Sequence, residues 1–523
     1  MTDRKQNFFA FAIILGFLAF RIFYVATTGY DLSDDEAYFW DWSRHPALSY
    51  YDQGPMVAWI IRLFTHLLSL SPFSVRIGAP IFMAMTALVI YFLAKDMLRS
   101  AVLALLVLLL FHLTPLGAAG GIIMTYYAPQ VFFMALVAFF LWQTVKTGDG
   151  RWWYPTGVCL GLGLLSHHMF LLFTAEIGLF IILSQKNRRW LKRKEPYLAL
   201  LLMLLTASPL IIWNLSHNMV MFRHALGMMS KPQHIARPLN ELLQYIGGQA
   251  GVQTPLFFLA VIWGLCVSGY RGIKKETGIQ TSDIKHQTEK QLEKDKYLLL
   301  FCLSAPVLLF IALLSLGGRS EANWPASGYI TGAIAAAYIL AEKYRTGRRP
   351  TRLIITASLA LTLIIGIIAS AVMYYPSFAP KIGIKITPKN DPANRLYGWK
   401  ILGGEVSEIL KDMPAGTFVA AGGYGQAGEL AFYTAGQPEI FALPTGRRFS
   451  QYDFWNKNMD VAGKDAVFAD YKPMSEKTKS LFRRVKPETC LIIRDQNSGL
   501  TRREFYIYRC YDYQPPVENL FRF

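Results

Sequence analysis

Apolar residues run in long, nearly unbroken blocks through the first 375 positions, with polar residues gathered in short stretches between them. A helix that crosses a bilayer needs about 20 mostly apolar residues, and block after block approaches that length. The pattern predicts helices at about 7–27, 73–94, 100–115 and 128–146. A stretch at about 154–184 reads as one long helix or as two short ones broken at Ser166-His167-His168, and the basic cluster at Lys186–Lys194, expected in the cytoplasm, requires two. Further helices follow at about 197–215, 254–270, 298–316, 324–341 and 353–375. Beyond 376 the pattern changes. Helical spacing at Leu396–Lys411 is followed by short β-type runs at 417–421, 439–442, 466–470, 490–494 and 503–508, with a helix between the first two. The expected architecture is a polytopic α-helical membrane protein of about eleven spans over residues 1–375. A soluble α/β domain over residues 376–523 completes it.

Charge orients this arrangement. The chain of 523 residues is 53% hydrophobic and carries a formal net charge of +18, with a mean hydropathy of +0.28. In a soluble protein such a charge suggests nucleic acid. Here the basic residues sit in short loops between apolar blocks, and no basic-aromatic RNA-binding motif is present, so nucleic acid is not expected as a partner. Placing Arg4 and Lys5 in the cytoplasm, and crossing about eleven times, puts the clusters at Lys95 and Arg99, at Lys186–Lys194, at 271–297 and at Arg345–Arg352 on one side. The segment at about 28–72 and the C-terminal domain then lie outside. The run Phe8–Thr27 lacks a small-residue cleavage site and is expected to be retained as the first span. Three of the five cysteines lie in apolar helices. Cys490 and Cys510 flank a hairpin-like stretch in the outer domain, where a disulfide bridge is an open expectation.

Candidate chemistry concentrates in the first outer segment. Asp34, Asp35 and Glu36 precede Tyr38, Phe39, Trp40 and Trp42 at helical spacing. The residues suggest an amphipathic interfacial helix opened by acidic side chains, which suit a helix N-terminus. Capping and anchoring would explain them. So would a carboxylate at the water–lipid boundary that accepts a proton from an incoming hydroxyl or binds a cation.

Asp35-Glu36 directly after the first span, then Tyr50-Tyr51-Asp52-Gln53-Gly54-Pro55-Met56 opening another apolar run, resembles the GT-C glycosyltransferases. Those are the protein O-mannosyltransferases, the lipid A aminoarabinose transferases and their bacterial family-39-like relatives. Ser208–His224, Glu321–Pro325 with Asn323, Glu429–Pro438 and Ser450–Trp455 match the bacterial branch in order. The resemblance implies a bacterial inner-membrane enzyme with a periplasmic site, a polyprenyl-phosphate-linked sugar donor (undecaprenyl by expectation) and a lipid A, lipopolysaccharide-core, glycan or protein acceptor. Membrane lipids surround it. By the same resemblance Asp35 is the catalytic base, Glu36 supports it, and Asp52 stands where relatives can bind a divalent metal. Here Gln53-Gly54-Pro55 follows, without the Lys-Pro-Pro of many relatives. Tyr126-Tyr127 and His167-His168 also replace an Asp and a Lys common elsewhere, which bears on donor or acceptor choice.

A phosphate leaving group needs cations. Arg44, Arg62, Arg223 and Arg319, with His217 and His224, lie near outer boundaries and are the candidates, each with interfacial snorkelling as its bland alternative. His45, Gln53, Tyr127, His167, His168 and Asn323 are further candidates by position. Gly423-Tyr424-Gly425-Gln426-Ala427-Gly428 fits a dinucleotide fingerprint, but no acidic residue follows at the required distance. A tight turn is the expected role for these glycines. Two rival functions remain at this level: a lipid-linked-sugar transporter or flippase, and a GT-C protein that binds its lipid without chemistry. No internal repeat of the transporter kind is visible.

Overall fold

The computed structural model describes residues 3–230, 238–274, 284–318, 320–385, 387, 391, 393–445, 447–494 and 500–516. They pack as two compact units. The first contains Met1–Phe23, Ala79–Ile122 and Tyr126–Tyr374; the second contains Tyr24–Gly78, Ile123–Thr125 and Tyr375–Phe523.

The first unit is helical, and each apolar block read from the sequence contains helix. Among the described residues, six helices have the length and apolarity of a membrane span: Asp3–Thr27, Pro72–Leu98, Tyr127–Thr147, Pro255–Ile273, Gln287–Ser315 and Arg349–Tyr374. A seventh is reached if Glu195–Thr206 and Ser208–Ser216, bent by 59°, count as one. Pro209 sits in the first turn after that bend, where its missing N–H costs least. Trp153–Ser166 and Phe170–Leu183 are separate helices, divided at His167-His168, the two that the charge pattern required. Ile284–Cys302 carries the Lys/Glu-rich stretch directly into an apolar run, and the helix restarts at Ala305–Ser315 after Ser304. Gly157 and Gly161 lie one turn apart and let Trp153–Ser166 approach Glu195–Thr206 closely. A Cβ on Gly161 would stand 2.6 Å from Thr206 Cβ and 2.7 Å from Met203 O.

The second unit combines the segment after the first span with the C-terminal residues. Its main helices are α1 (Asp34–Arg44), α2 (Met56–Leu67), α3 (Trp399–Lys411) and α4 (Tyr424–Tyr433). Its strands are β1 (Phe418–Ala421), β2 (Ile440–Ala442), β3 (Ala466–Asp470), β4 (Phe482–Arg494) and β5 (Thr501–Tyr513). They form one sheet in the order β2-β1-β3-β5-β4. β2, β1 and β3 are parallel, short and buried along their whole length, as strands covered on both faces must be. β5 joins antiparallel and carries β4 to the edge. Lys486, Pro487 and several arginines on β4 suit an edge that must not recruit another strand. Phe418, Phe441, Phe468, Phe482 and Tyr513 form the core of this sheet.

Two expectations are corrected here. Helix α1 is not an interfacial amphipath, because every residue from Glu36 to Ser43 is buried. Its aromatic side chains meet protein: Tyr38 packs on Tyr424 and Tyr452, Trp40 on Phe432 and Trp42 on Tyr50. Full burial of each such ring contributes about 1.5–3 kcal/mol, and that gain goes to the second unit. The cysteines are also unbridged, and all five are free. The hairpin register sets Cys490 opposite Tyr506 but Cys510 opposite Val485. Four residues of strand separate Tyr506 from Cys510, roughly 13 Å along the ladder, whereas bridged Cα atoms lie within about 7 Å. Titration in denaturant without reductant is therefore expected to find all five thiols; fewer would reject this register.

The Gly-rich motif has a packing explanation instead of the expected tight turn. Gly425 and Gly428 are helical and lie where α4 crosses α1. A Cβ at Gly428 would stand 2.6 Å from Tyr38 N, and one at Gly425 would stand 2.7 Å from Asp34 Cβ. Gly428→Val is expected to lower Tm by several degrees. Gly404→Ala on α3, where the added methyl meets nothing within 4 Å, is expected to be neutral or slightly stabilising. Equal Tm for the wild type and Gly428→Val would contradict the close crossing.

Candidate active site

Helix α1 begins with a capping box. Ser33 accepts from Glu36 N–H at 3.3 Å, and Glu36 returns the bond to Ser33 N–H at 2.9 Å. This fixes the backbone at the acidic triplet and points its three carboxylates differently.

Glu36 turns inward and is 0% exposed. Its Oε1 accepts from Arg76 Nε at 2.9 Å and Met124 N–H at 3.0 Å. Its Oε2 accepts from Arg76 Nη2 and Ser33 N–H, both at 2.9 Å. Arg76 also donates to the carbonyls of Tyr30 and Asp31. Every strong acceptor direction on Glu36 is used, so it holds the helix and its approach segment and has no lone pair to offer a substrate. A bidentate Arg–carboxylate pair this dry is tolerated because its remaining polar atoms are also bonded.

Asp35 is half-buried on the other side of the helix start, where its Oδ1 accepts from Tyr424 O–H at 3.3 Å. Burial, then the neighbouring Asp34 charge, pushes its carboxyl up to about 7. Arg395 and Arg448 oppose that rise. Asp34 lies 3.9 Å from Arg395. Deeper, Glu429 on α4 is 1% exposed, and neither carboxylate oxygen has a hydrogen-bond partner. Burial and the charges of Asp34, Asp31 and Glu36 hold its carboxyl well above the ordinary range.

Asp52 follows α1 through the turn at Ser49–Gly54. Tyr38 O–H donates to its Oδ2 at 2.7 Å and Arg448 donates to its Oδ1 at 3.0 Å. A guanidinium and a phenol are poor company for a divalent cation, and among the described residues no group of three His, Cys, Asp or Glu gathers. The donors around Asp52 do not fit a metal site. Gln53 is buried, and its carbonyl accepts from Tyr50 N–H.

The other residues singled out from the sequence are dispersed. Arg44 pairs with Asp41 at 2.9 Å and Glu439 at 2.8 Å and donates to the Gln437 carbonyl at 2.7 Å. His45 reaches Glu439 at 3.2 Å and packs on Trp455. Arg62 is exposed on α2 and donates to the Ser43 carbonyl. Four residues come together within the first unit. Tyr126 stacks on His167 at 4.4 Å, His167 stacks on His168 at 4.1 Å, and Asn323 reaches the Tyr126 hydroxyl at 3.5 Å. Tyr127 is buried beside Gly120. His217 stacks on Trp213, and Arg223 is exposed on Val220–Ser230. Arg319 lies outside the described residues.

Sequence reasoning missed Arg76, Arg395, Tyr424, Glu429 and Arg448. Their chain distance from Asp35 hides them. One signal was available, since Glu429–Pro438 and Ser450–Trp455 were already marked by the resemblance. These segments clasp α1 and its approach: Tyr433 O–H accepts from Leu32 N–H at 2.8 Å, Gln451 N–H donates to Tyr38 O–H at 2.7 Å, and Tyr452 O–H donates to Asp41 at 2.5 Å.

Residues 52–213 match the family model described as dolichyl-phosphate-mannose-protein mannosyltransferase. The lipid A galacturonosyltransferase RgtD of Rhizobium johnstonii is 27% identical over 341 residues, which span 64% of this chain and 66% of that protein. In fold, the chain is similar to ArnT from Cupriavidus metallidurans. The apo crystal structure gives a TM-score of 0.58 at 12% identity over 95% of this chain and 97% of that one. The structure bound to undecaprenyl phosphate gives 0.60 at 11% identity over 98% and 100%. The matched segment and the curated relative make this chain similar to glycosyltransferases, and the solved structures show that it shares the ArnT fold.

Proposed function

We propose that the protein transfers a sugar from a polyprenyl-phosphate donor to an envelope acceptor, with Asp35 as general base. The single observation that carries this is the setting of Asp35. It is a carboxyl raised to about 7 at the start of a rigid, capped helix, with Tyr424 on one oxygen and the charges of Arg395 and Arg448 acting on it. A base titrating near neutral pH accepts a proton while keeping basicity enough to matter. Asp35 removes the proton from an acceptor hydroxyl, the oxygen bonds to the anomeric carbon, and the bond from that carbon to the phosphate oxygen breaks. Polyprenyl phosphate leaves with the bonding electron pair, and an in-line path inverts the anomeric centre.

Glu36 and Arg76 position Asp35 without touching the reacting atoms. Arg448 and Arg62 are the proposed cations for the donor phosphate, whereas Arg44 is already paired with Asp41 and Glu439. About eleven crossings, a cytoplasmic N-terminus and a periplasmic second unit in a bacterial inner membrane complete the proposal. The relative named a lipid A galacturonosyltransferase favours lipid A as acceptor. The neighbour crystallised with undecaprenyl phosphate favours that lipid as carrier.

The test incubates purified protein with a panel of polyprenyl-phosphate sugars and extracted envelope lipids, read by mass spectrometry of the acceptor. A gain of one sugar mass supports transfer and identifies both substrates. No gain across the panel, with donor lipid still bound, would favour the binding-only alternative.

A further inference from the structure

The resemblance offered Asp52 to a divalent metal, but the fold gives it a different cation. Its two oxygens meet two donors: Tyr38 O–H at 2.7 Å on Oδ2, and Arg448 Nη1 at 3.0 Å on Oδ1. A divalent ion binding there would have to displace a phenol proton and approach a guanidinium of its own sign. Tyr38 is itself fixed. Its oxygen accepts from Gln451 N–H at 2.7 Å, and Gln451 Oε1 accepts from Tyr51 N–H at 2.8 Å. The turn that carries Asp52 and the segment that carries Arg448 are therefore laced together.

The two adjacent arginines of that segment divide their roles. Arg447 serves structure: it holds Asp453 through both oxygens at 2.7 and 2.8 Å and donates to the carbonyls of Leu443 and Ala442. This anchors the backbone from which Arg448 leaves. Arg448 lies over the Tyr424 ring, 4.4 Å from its centroid, and 45% of its side chain stays exposed against 14% for Asp52. Asp52 is thus covered by its partner, and the partner remains open to a ligand. Tyr424 continues the line to the base, since its O–H donates to Asp35 Oδ1 at 3.3 Å. A tethered, stacked guanidinium needs no reorganisation when charge develops beside it, and its planar fork suits two phosphate oxygens.

We propose that Asp52 is a positioning residue: it tethers Arg448 so that a resident guanidinium, and not a divalent cation, meets the phosphate of the lipid-linked donor beside Asp35. This rests on the protein being a sugar transferase, and it adds that phosphate recognition depends on a carboxylate of the ligand's own sign. That dependence has a diagnostic direction. An Asp52 that only repelled the phosphate would weaken binding, and neutralising it would tighten binding. An Asp52 that orients Arg448 strengthens binding, and neutralising it loosens the ligand.

The test uses the full chain in detergent and two probes that differ only in charge, undecaprenyl phosphate and undecaprenol. Binding is read by native mass spectrometry, and the Tm of each variant is measured alongside. The phosphate is expected to bind at least about tenfold more tightly than the alcohol, with that advantage unchanged by EDTA. Arg448→Gly should remove most of the advantage, and Arg448→Lys should keep part. Asp52→Asn should reduce it several-fold although it removes a negative charge; Asp52→Ser takes its place if the asparagine variant does not fold. Free guanidinium at low millimolar concentration should restore part of the advantage to Arg448→Gly, and none when Asp52→Asn is added. Equal binding of the two lipids, loss of the advantage in EDTA, an advantage unchanged in Arg448→Gly, or tighter phosphate binding by Asp52→Asn each overturns the tethered arginine. Failure here is separable from failure of the transferase function. Transfer that EDTA abolishes sinks only the tethered arginine, and phosphate-selective binding that ignores EDTA, without transfer from any donor sugar, sinks only the enzyme.

Discussion

Asp35→Asn is expected to lower sugar transfer to a hydroxyl acceptor by about 10²–10⁴-fold while the protein remains folded and membrane-inserted. Asparagine keeps the size and the capped helix start but cannot take a proton. Equal transfer by both proteins would remove Asp35 as the essential base. The pH profile of the wild type gives a second check. The carboxyl titrates at about 7, so transfer should fall about tenfold per unit below that value. Stability should move oppositely. The folded-state value lies above the ordinary 3.8, so between about 4 and 7 the folded protein holds a proton that the unfolded chain has released. Stability from this group is therefore complete below the unfolded value and is lost as pH rises through the folded one. Asp35→Asn escapes that loss. Its Tm relative to wild type should rise between pH 5 and pH 7 and level off above, at the cost of activity. A Tm difference that ignores pH would count against the raised carboxyl.

The second large effect falls on stability. Glu36→Ala is expected to cost about 3–5 kcal/mol in the second unit, because it leaves the buried Arg76 guanidinium uncompensated. It also strips acceptors from Ser33 N–H and Met124 N–H. The expected result is a sharp fall in yield and in Tm, with activity lost through misfolding. Glu36→Gln should also be poorly tolerated, since its amide NH₂ would face a donor from Arg76 or the backbone. Replacing both partners, Glu36→Leu with Arg76→Leu, should recover part of the loss by removing the stranded charge. The two neighbouring carboxylates thus separate experimentally: Asp35→Asn folds and fails to catalyse, and Glu36→Ala fails to fold. A stable but inactive Glu36→Ala would return Glu36 to the reacting centre.

Much of the helical scaffold was legible because membrane helices announce themselves. Twenty apolar residues have few other stable fates, and the basic cluster at Lys186–Lys194 required two helices within 154–184 where the interruption at His167-His168 alone left one or two open. The sheet was legible in outline for a related reason. β1 and β3 are buried on both faces and read as short continuous apolar runs. The ends of β4 and β5 were not, because long antiparallel strands with one exposed face alternate weakly and carry charge, as at Arg484, Lys486 and Arg509. The disulfide expectation failed for want of register, which spacing along the chain does not specify.

The chemistry divides in the same way. Local sequence determined the capping box at Ser33-Asp34-Asp35-Glu36, and with it a helix that opens on three carboxylates, because those interactions span only three residues. It could not say which carboxylate is consumed and which is poised. That depends on Arg76, 40 positions from Glu36, and on Tyr424, 389 positions from Asp35. It also misassigned the aromatic face of α1 to lipid, since a stripe of Tyr, Phe and Trp is equally content against a membrane or against α4. Only the tertiary structure brought Gly425 and Gly428 beneath Asp34 and Tyr38 and closed that face. The physical reason is that burial and charge proximity, which set the character of an acid, are properties of a folded neighbourhood and not of a neighbouring residue in the chain.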